Sequence, residues 1–215
     1  AAPLLTVTKT ASQTPLVVAQ TGQFYTITIA VANGPTTAPI TIADTMPTGV
    51  TTSAAITATG GSLSGCPGVG ATNLVGCTMA SPTNGPIVIT VPVTIGSSSA
   101  ATLVNSATVT GGGDPSCPAA AHCTGTVTTA STRPDMQVVP RTELPPAIKG
   151  VPYPTGQTIV CTNASSVPAT TATCEVTNLP PGLNSTCTPT SPVASLAPGG
   201  TIVCTISGTP TTTTQ

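Results

Sequence analysis

Charged side chains are nearly absent from this chain: four Lys or Arg and five Asp or Glu in 215 residues, with a single histidine. Four cations cannot neutralise a phosphate backbone, so nucleic acid is not an expected partner. Aromatic residues are rarer still, with two Tyr, one Phe and no Trp. Sugar-binding faces stack their ligand on aromatic platforms, and Phe24, Tyr25 and Tyr153 are too few to build one. Phe24 and Tyr25 adjoin in an extended segment, so one of them is expected in the core and the other outside. His122 is the only imidazole available for a Ser-His-Asp arrangement, and no nucleophile-elbow motif accompanies it, so the chain is not expected to be an enzyme. No apolar run approaches a membrane span, and no lipidation or wall-anchoring motif is visible. Helical periodicity with caps is missing throughout.

Thr, Pro, Gly and short aliphatic runs take the place of charge. Phe24-Tyr25-Thr26-Ile27-Thr28-Ile29-Ala30-Val31, residues 39–43 and residues 87–95 alternate or run β-branched between turn clusters, the signature of strands. Such density of short strands predicts an all-β protein of two tandem immunoglobulin-like β-sandwiches. The first should span residues 1–130. A joint is expected over 131–135, where Arg133, Pro134 and Asp135 concentrate charge and a proline. The second, smaller domain covers 131–215, opening at Met136-Gln137-Val138-Val139. Its strands are expected around 158–161, 172–176, 185–188 and 202–206, few enough to leave the sandwich short of a strand.

Eight cysteines divide four and four between these domains, which argues for disulfides and an oxidising, extracellular compartment. Ala1-Ala2-Pro3 looks like a mature start after removal of a signal peptide. Spacing alone does not fix the pairing. Short loop closures favour Cys66 with Cys77 and Cys117 with Cys123. A hairpin turning at Pro180-Pro181 would oppose Cys174 and Cys187, and face parity with neighbouring Ile residues would point Cys161 and Cys204 into one core. His122 beside Cys123 and Cys117 makes at most an incomplete zinc site, so no metal and no cofactor are expected. Two sequons, at Asn163 and Asn184, read as incidental.

Three segments in order, Val7-Thr8-Lys9-Thr10-Ala11, Ile42-Ala43-Asp44-Thr45-Met46-Pro47-Thr48-Gly49-Val50 and Val104-Asn105-Ser106-Ala107-Thr108-Val109, resemble the domain of unknown function 11, a bacterial surface repeat, over roughly residues 4–130. Residues 111–118 resemble a loop of its proteobacterial members. The second domain is similar to Cys-containing repeats found beside that family in long secreted proteins, through Cys161-Thr162-Asn163 and Asn178-Leu179-Pro180-Pro181-Gly182. The resemblance implies extracellular immunoglobulin-like modules; it does not imply a reaction.

Within so uncharged a chain, Lys9, Asp44 and Asn105 stand out, each on a strand-like segment. An amine, an acid and a carboxamide in a water-poor β-core meet the conditions for an autocatalytic isopeptide bond, Lys9 attacking Asn105 with Asp44 as proton shuttle. The plainer alternative is an ion pair of Lys9 with Asp44 at a sandwich edge while Asn105 bonds a turn. The expected function is a structural subunit of a secreted bacterial fibre or surface layer. Copies of the chain would join head-to-tail by strand donation from residues 1–8 or 208–215, and any host or surface receptor is unspecified. The alternative is an adhesin or ligand-binding module of a larger surface protein.

Overall fold

Alternating burial along the chain shows which side of each strand faces inward. In the computed structural model, which describes residues 1–138 and 144–212, the chain divides into two compact units, Ala1–Thr132 and Arg133–Gln215. The division falls inside the expected joint. The fold is all-β, and its one helical feature among the described residues is a 3-10 turn, Ala121–Cys123.

The first unit contains β1 (Leu4–Ala11), β2 (Leu16–Val17), β3 (Gln23–Ala32), β4 (Ile40–Asp44), β5 (Val50–Thr52), β6 (Thr57–Thr59), β7 (Leu63–Ser64), β8 (Cys77–Met79), β9 (Ile87–Ile95), β10 (Thr102–Gly111) and β11 (Thr124–Thr132). One sheet runs β1-β3-β9-β5, with β6 also paired to β9, and the other runs β2-β11-β10-β4-β8-β7. Leu5, Val7 and Lys9 are buried on β1, as are Tyr25, Ile27 and Ile29 on β3 and Leu103, Asn105, Ala107 and Val109 on β10. Intervening Thr and Ser face outward or sit at the margin, as a period of two demands. Residues from both sheets join a single apolar core. Each fully buried Leu or Ile there contributes roughly 1.5–3 kcal/mol.

β1 lies at the margin of its sheet, paired with β3 alone in the register Lys9↔Ile27. Its backbone runs against β11: a Cβ on Gly125 would stand 2.8 Å from the Thr8 carbonyl carbon and 2.9 Å from the Lys9 nitrogen. Glycine is what lets the two sheets close at this point.

The second unit contains β12 (Met136–Val138), β13 (Thr158–Asn163), β14 (Ala169–Ala172), β15 (Leu183–Thr188), β16 (Val193–Leu196) and β17 (Thr201–Gly208). β12-β13-β17-β15 form one sheet and β14-β16 a two-stranded one. The expected strand over 172–176 ends at Ala172, so the segment 173–177 is not part of a sheet. Val139, in the expected start of this domain, and tail residues 213–215 lie outside the described residues.

Candidate functional site

Lys9, Asp44 and Asn105 come together in the core of the first unit, from three strands and two sheets. β4 and β10 are antiparallel neighbours with Asp44 opposite Ala107, so Asn105 lies two positions along β10 on the same inward face. Lys9 reaches across from β1, and its Nζ pairs directly with Asp44 Oδ2, both side chains wholly enclosed. The Lys9–Asp44 pair of the plainer alternative is present, but it is enclosed and not solvated at an edge. Asn105 does not bond a turn. It is fully buried, and its Nδ2 contacts Met46 Sδ at 3.6 Å.

The sequence did not mark Tyr25 as a fourth member. Lys9 Nζ stands 5.1 Å from the centre of its ring. Parity with Ile27 and Ile29 along β3 was the signal that chooses Tyr25 over Phe24 as the inward ring, and the structure buries Tyr25 completely.

Electrostatics in this pocket follow from burial. Burial pulls the Lys9 amine below its ordinary range, against the raising influence of the Asp44 charge and hydrogen bond. Burial likewise pushes the Asp44 carboxyl up, outweighing Lys9 and the hydrogen bonds from Lys9 and Asn105. Both shifts favour a neutral amine beside a neutral acid. Tyr25 is pushed up to about 12, by burial first and the Asp44 charge second. Among the described residues, the buried side-chain oxygens and nitrogens with no hydrogen-bond partner are Tyr25 Oη, Asp44 Oδ1 and Asn105 Oδ1. All three belong to this cluster. Buried polar atoms are normally satisfied, so the concentration of exceptions here marks a site.

A second cluster holds β1 in place. Asp114 Oδ2 accepts the Leu5 N–H at 2.9 Å and lies 3.2 Å from His122 Nε2, while Asp114 Oδ1 accepts the Ser116 N–H at 2.9 Å. Burial alone would raise the Asp114 carboxyl, but the Leu5 and Ser116 N–H groups and His122 override it and hold it below the usual range. A ligand atom from each of Asp114, Cys117, His122 and Cys123 lies within 4.8 Å of the others. Cys117 and Cys123 are joined in a disulfide, however, so neither offers a thiolate. His122 is 31 % exposed at its side chain.

Cys66 pairs with Cys77 and Cys117 with Cys123, as the short loops suggested. The second unit departs from expectation: Cys161 pairs with Cys174 and Cys187 with Cys204. No hairpin turns at Pro180-Pro181. Instead β15 pairs with β17, which sets Cys187 directly opposite Cys204, while Cys161 faces Ile202 in the β13–β17 ladder. The shared core parity of Cys161 and Cys204 still shows. The sulfurs of Cys174 and Cys204 lie 3.6 Å apart, so the two bridges stack in a core whose other buried residues are Ala169, Ala172, Leu196 and Ile202.

Asn163, the first sequon, is fully buried. Its Nδ2 donates to Val167 O and Leu196 O, each at 2.9 Å, tying β13 to the two-stranded sheet. Asn184, the second, is exposed.

Among the described residues β15 pairs on one side only, with β17. Facing it is a groove of about 470 Å³ bounded by residues 174–177 and by Ser185, Thr186 and Cys187. Glu175, Val176 and Thr177 also line an adjoining, more apolar cavity of about 790 Å³, together with Tyr153, Ile159 and Leu183. The proposed donor segments are engaged at home. Residues 4–8 pair with β3, and beyond β17 the Thr209 and Thr211 N–H groups bond Gly182 O and Pro181 O.

No helix among the described residues is long and apolar enough to cross a membrane. The chain matches no protein-family model and no curated protein.

Proposed function

We propose that the chain is a structural, non-enzymatic subunit of a secreted bacterial extracellular fibre or surface layer, built from two tandem immunoglobulin-like sandwiches of which the first is a module akin to the domain of unknown function 11. The observation that carries this reading is the enclosed Lys9, Asp44 and Asn105 cluster joining the two sheets of the first unit. Four disulfides, two per unit, suit an oxidising exterior and add durability of the same kind.

The reaction open to the cluster is self-crosslinking. Transfer of the Lys9 proton to Asp44 leaves a free amine lone pair, which attacks Asn105 Cγ. As the tetrahedral intermediate collapses, Asp44 gives that proton to Nδ2 and takes the second one from the attacking Lys9 nitrogen, the Cγ–Nδ2 bond breaks, and ammonia departs with Asp44 left protonated. The product is a Lys9–Asn105 amide, with no oxidant or cofactor consumed. Fixed geometry in a dry core replaces the encounter of separate reactants.

Assembly is read from the second unit, where the one-sided edge of β15 and the groove before it offer backbone to a strand from a neighbouring copy. Head-to-tail contacts of that sort do not close on themselves, so they extend. The alternative, an adhesin or ligand-binding module, draws on the apolar cavity beside Tyr153.

Intact-mass measurement of the purified chain tests the crosslink. The expected mass lacks one ammonia beyond the hydrogens lost to the disulfides, and both Lys9→Met and Asn105→Ala should restore it. An unmodified wild-type mass removes the crosslink from the reading. Electron microscopy of the same material tests assembly: ordered filaments or sheets are expected, whereas isolated particles at all concentrations favour the adhesin.

A further inference from the structure

The crosslinking reaction builds negative charge on one atom, Asn105 Oδ1, when Lys9 adds to the carbonyl carbon. In water that charge would be solvated; here every side chain around it is enclosed. Stabilisation must come from a donor already in place. The three unpartnered atoms of the cluster are Asp44 Oδ1 and Asn105 Oδ1, which accept while Asp44 is ionised, and the Tyr25 hydroxyl; Asp44 passes on the proton it takes, so the hydroxyl is the one of the three that keeps a proton to donate throughout. The need of Asp44 for a donor falls as it takes the proton of Lys9, while that of Asn105 Oδ1 rises during the attack.

We propose that Tyr25 is a catalytic residue of the self-crosslinking reaction, its O–H donating to Asn105 Oδ1 as the oxyanion forms. This rests on the reading of Lys9, Asp44 and Asn105 as an isopeptide triad. Placement supports it: Tyr25 lies on β3, hydrogen-bonded to the strand of Lys9, and its ring already packs under the Lys9 amine. The hydroxyl keeps its proton at any ordinary pH, being pushed up to about 12 by burial and by Asp44. The ring packs against the amine, and the hydroxyl supplies the donor that the growing charge needs. After ammonia leaves, the same O–H remains bonded to the new amide carbonyl.

The test compares bond formation by intact mass, over time after synthesis, in the full chain and in Tyr25→Phe, which keeps the ring. Loss of one oxyanion donor is expected to slow the reaction by about 100-fold to 1,000-fold, leaving freshly made Tyr25→Phe with its ammonia still present. A second measurement replaces both tyrosines with 3-fluorotyrosine, whose more acidic hydroxyl should speed the reaction; packing alone would not respond. Tyr153 lies in the other unit and serves as a silent passenger. If wild type and Tyr25→Phe crosslink at one rate, the role of Tyr25 is overturned while the triad stands. If wild type never loses ammonia, the triad falls and this inference with it.

Discussion

Asp114 shows how much one carboxylate does in a chain with so few. It takes the N–H that β1 turns away from β3, at Leu5, and anchors the disulfide-closed loop to the first strand. Hydrogen bonds to a charged acceptor contribute about 1.5–3 kcal/mol, so Asp114→Asn should lower the stability of the first unit by that order at neutral pH. The sign of the pH dependence follows from a depressed pKa. The contribution is complete above the unfolded value of about 3.9 and drains away as pH falls through the lower folded value. Urea melts at several pH values should therefore show wild type and variant converging in strong acid; curves that stay parallel would refute the assignment. Rarity of charge made Lys9 and Asp44 legible from sequence, because a lone charge on a strand-like segment has few ordinary uses, and Asn105 joined them as the amide on a third such segment. Tyr25 was legible only as one of two adjacent rings. Its membership depends on how far β1 reaches over β3, a distance that one strand's periodicity does not contain.

At the level of elements, the long strands were readable where alternation is strong. Residues 87–95 match β9 end to end, and the expected 24–31 lies within β3. Two- and three-residue strands such as β2, β5 and β7 carry too few residues to express a period and are set by their partners. The second unit misled for a related reason. Cys174-Glu175-Val176 has strand-forming residues, but the Cys161–Cys174 bridge and the Ser191 hydroxyl, which accepts the Cys174 N–H at 2.9 Å, hold it off the ladder. Pairing of cysteines followed strand order, which spacing does not reveal. Gly125 offers the sharpest check on how the two sheets of the first unit meet. A methyl group there would strike backbone atoms of Thr8 and Lys9, which have no rotamer in which to withdraw. Gly125→Ala should cost about 1–3 kcal/mol, as overpacking does, measurable as a shift in urea midpoint with unchanged slope. A neutral result would mean that β1 and β11 are farther apart than described.

For the whole molecule, the question is whether β1 stays with its own copy. In the single chain it does, along eight register pairs from Leu4↔Ala32 to Ala11↔Tyr25. Donation of that strand would be an exchange, the same contacts made with a second copy. It would also carry Lys9 into a neighbour, next to that neighbour's acid and amide. Boiled, reduced samples on a denaturing gel separate the two arrangements. One band lacking ammonia indicates a bond closed at home, which leaves β1 unable to serve as donor; a ladder of covalent multiples indicates exchange. We expect the single band, because β1 is additionally pinned by Asp114 and by the close seat of Gly125.

A bond closed at home changes how the subunit carries tension. Lys9 sits toward the end of the first strand and Asn105 on β10, one strand before the exit to the second unit. A pull along the chain would then pass from residue 9 straight to residue 105 and out through β11. Residues 10–104, with most of the apolar core, would hang as a slack loop beside the cable, unstretched by any force short of breaking a covalent bond.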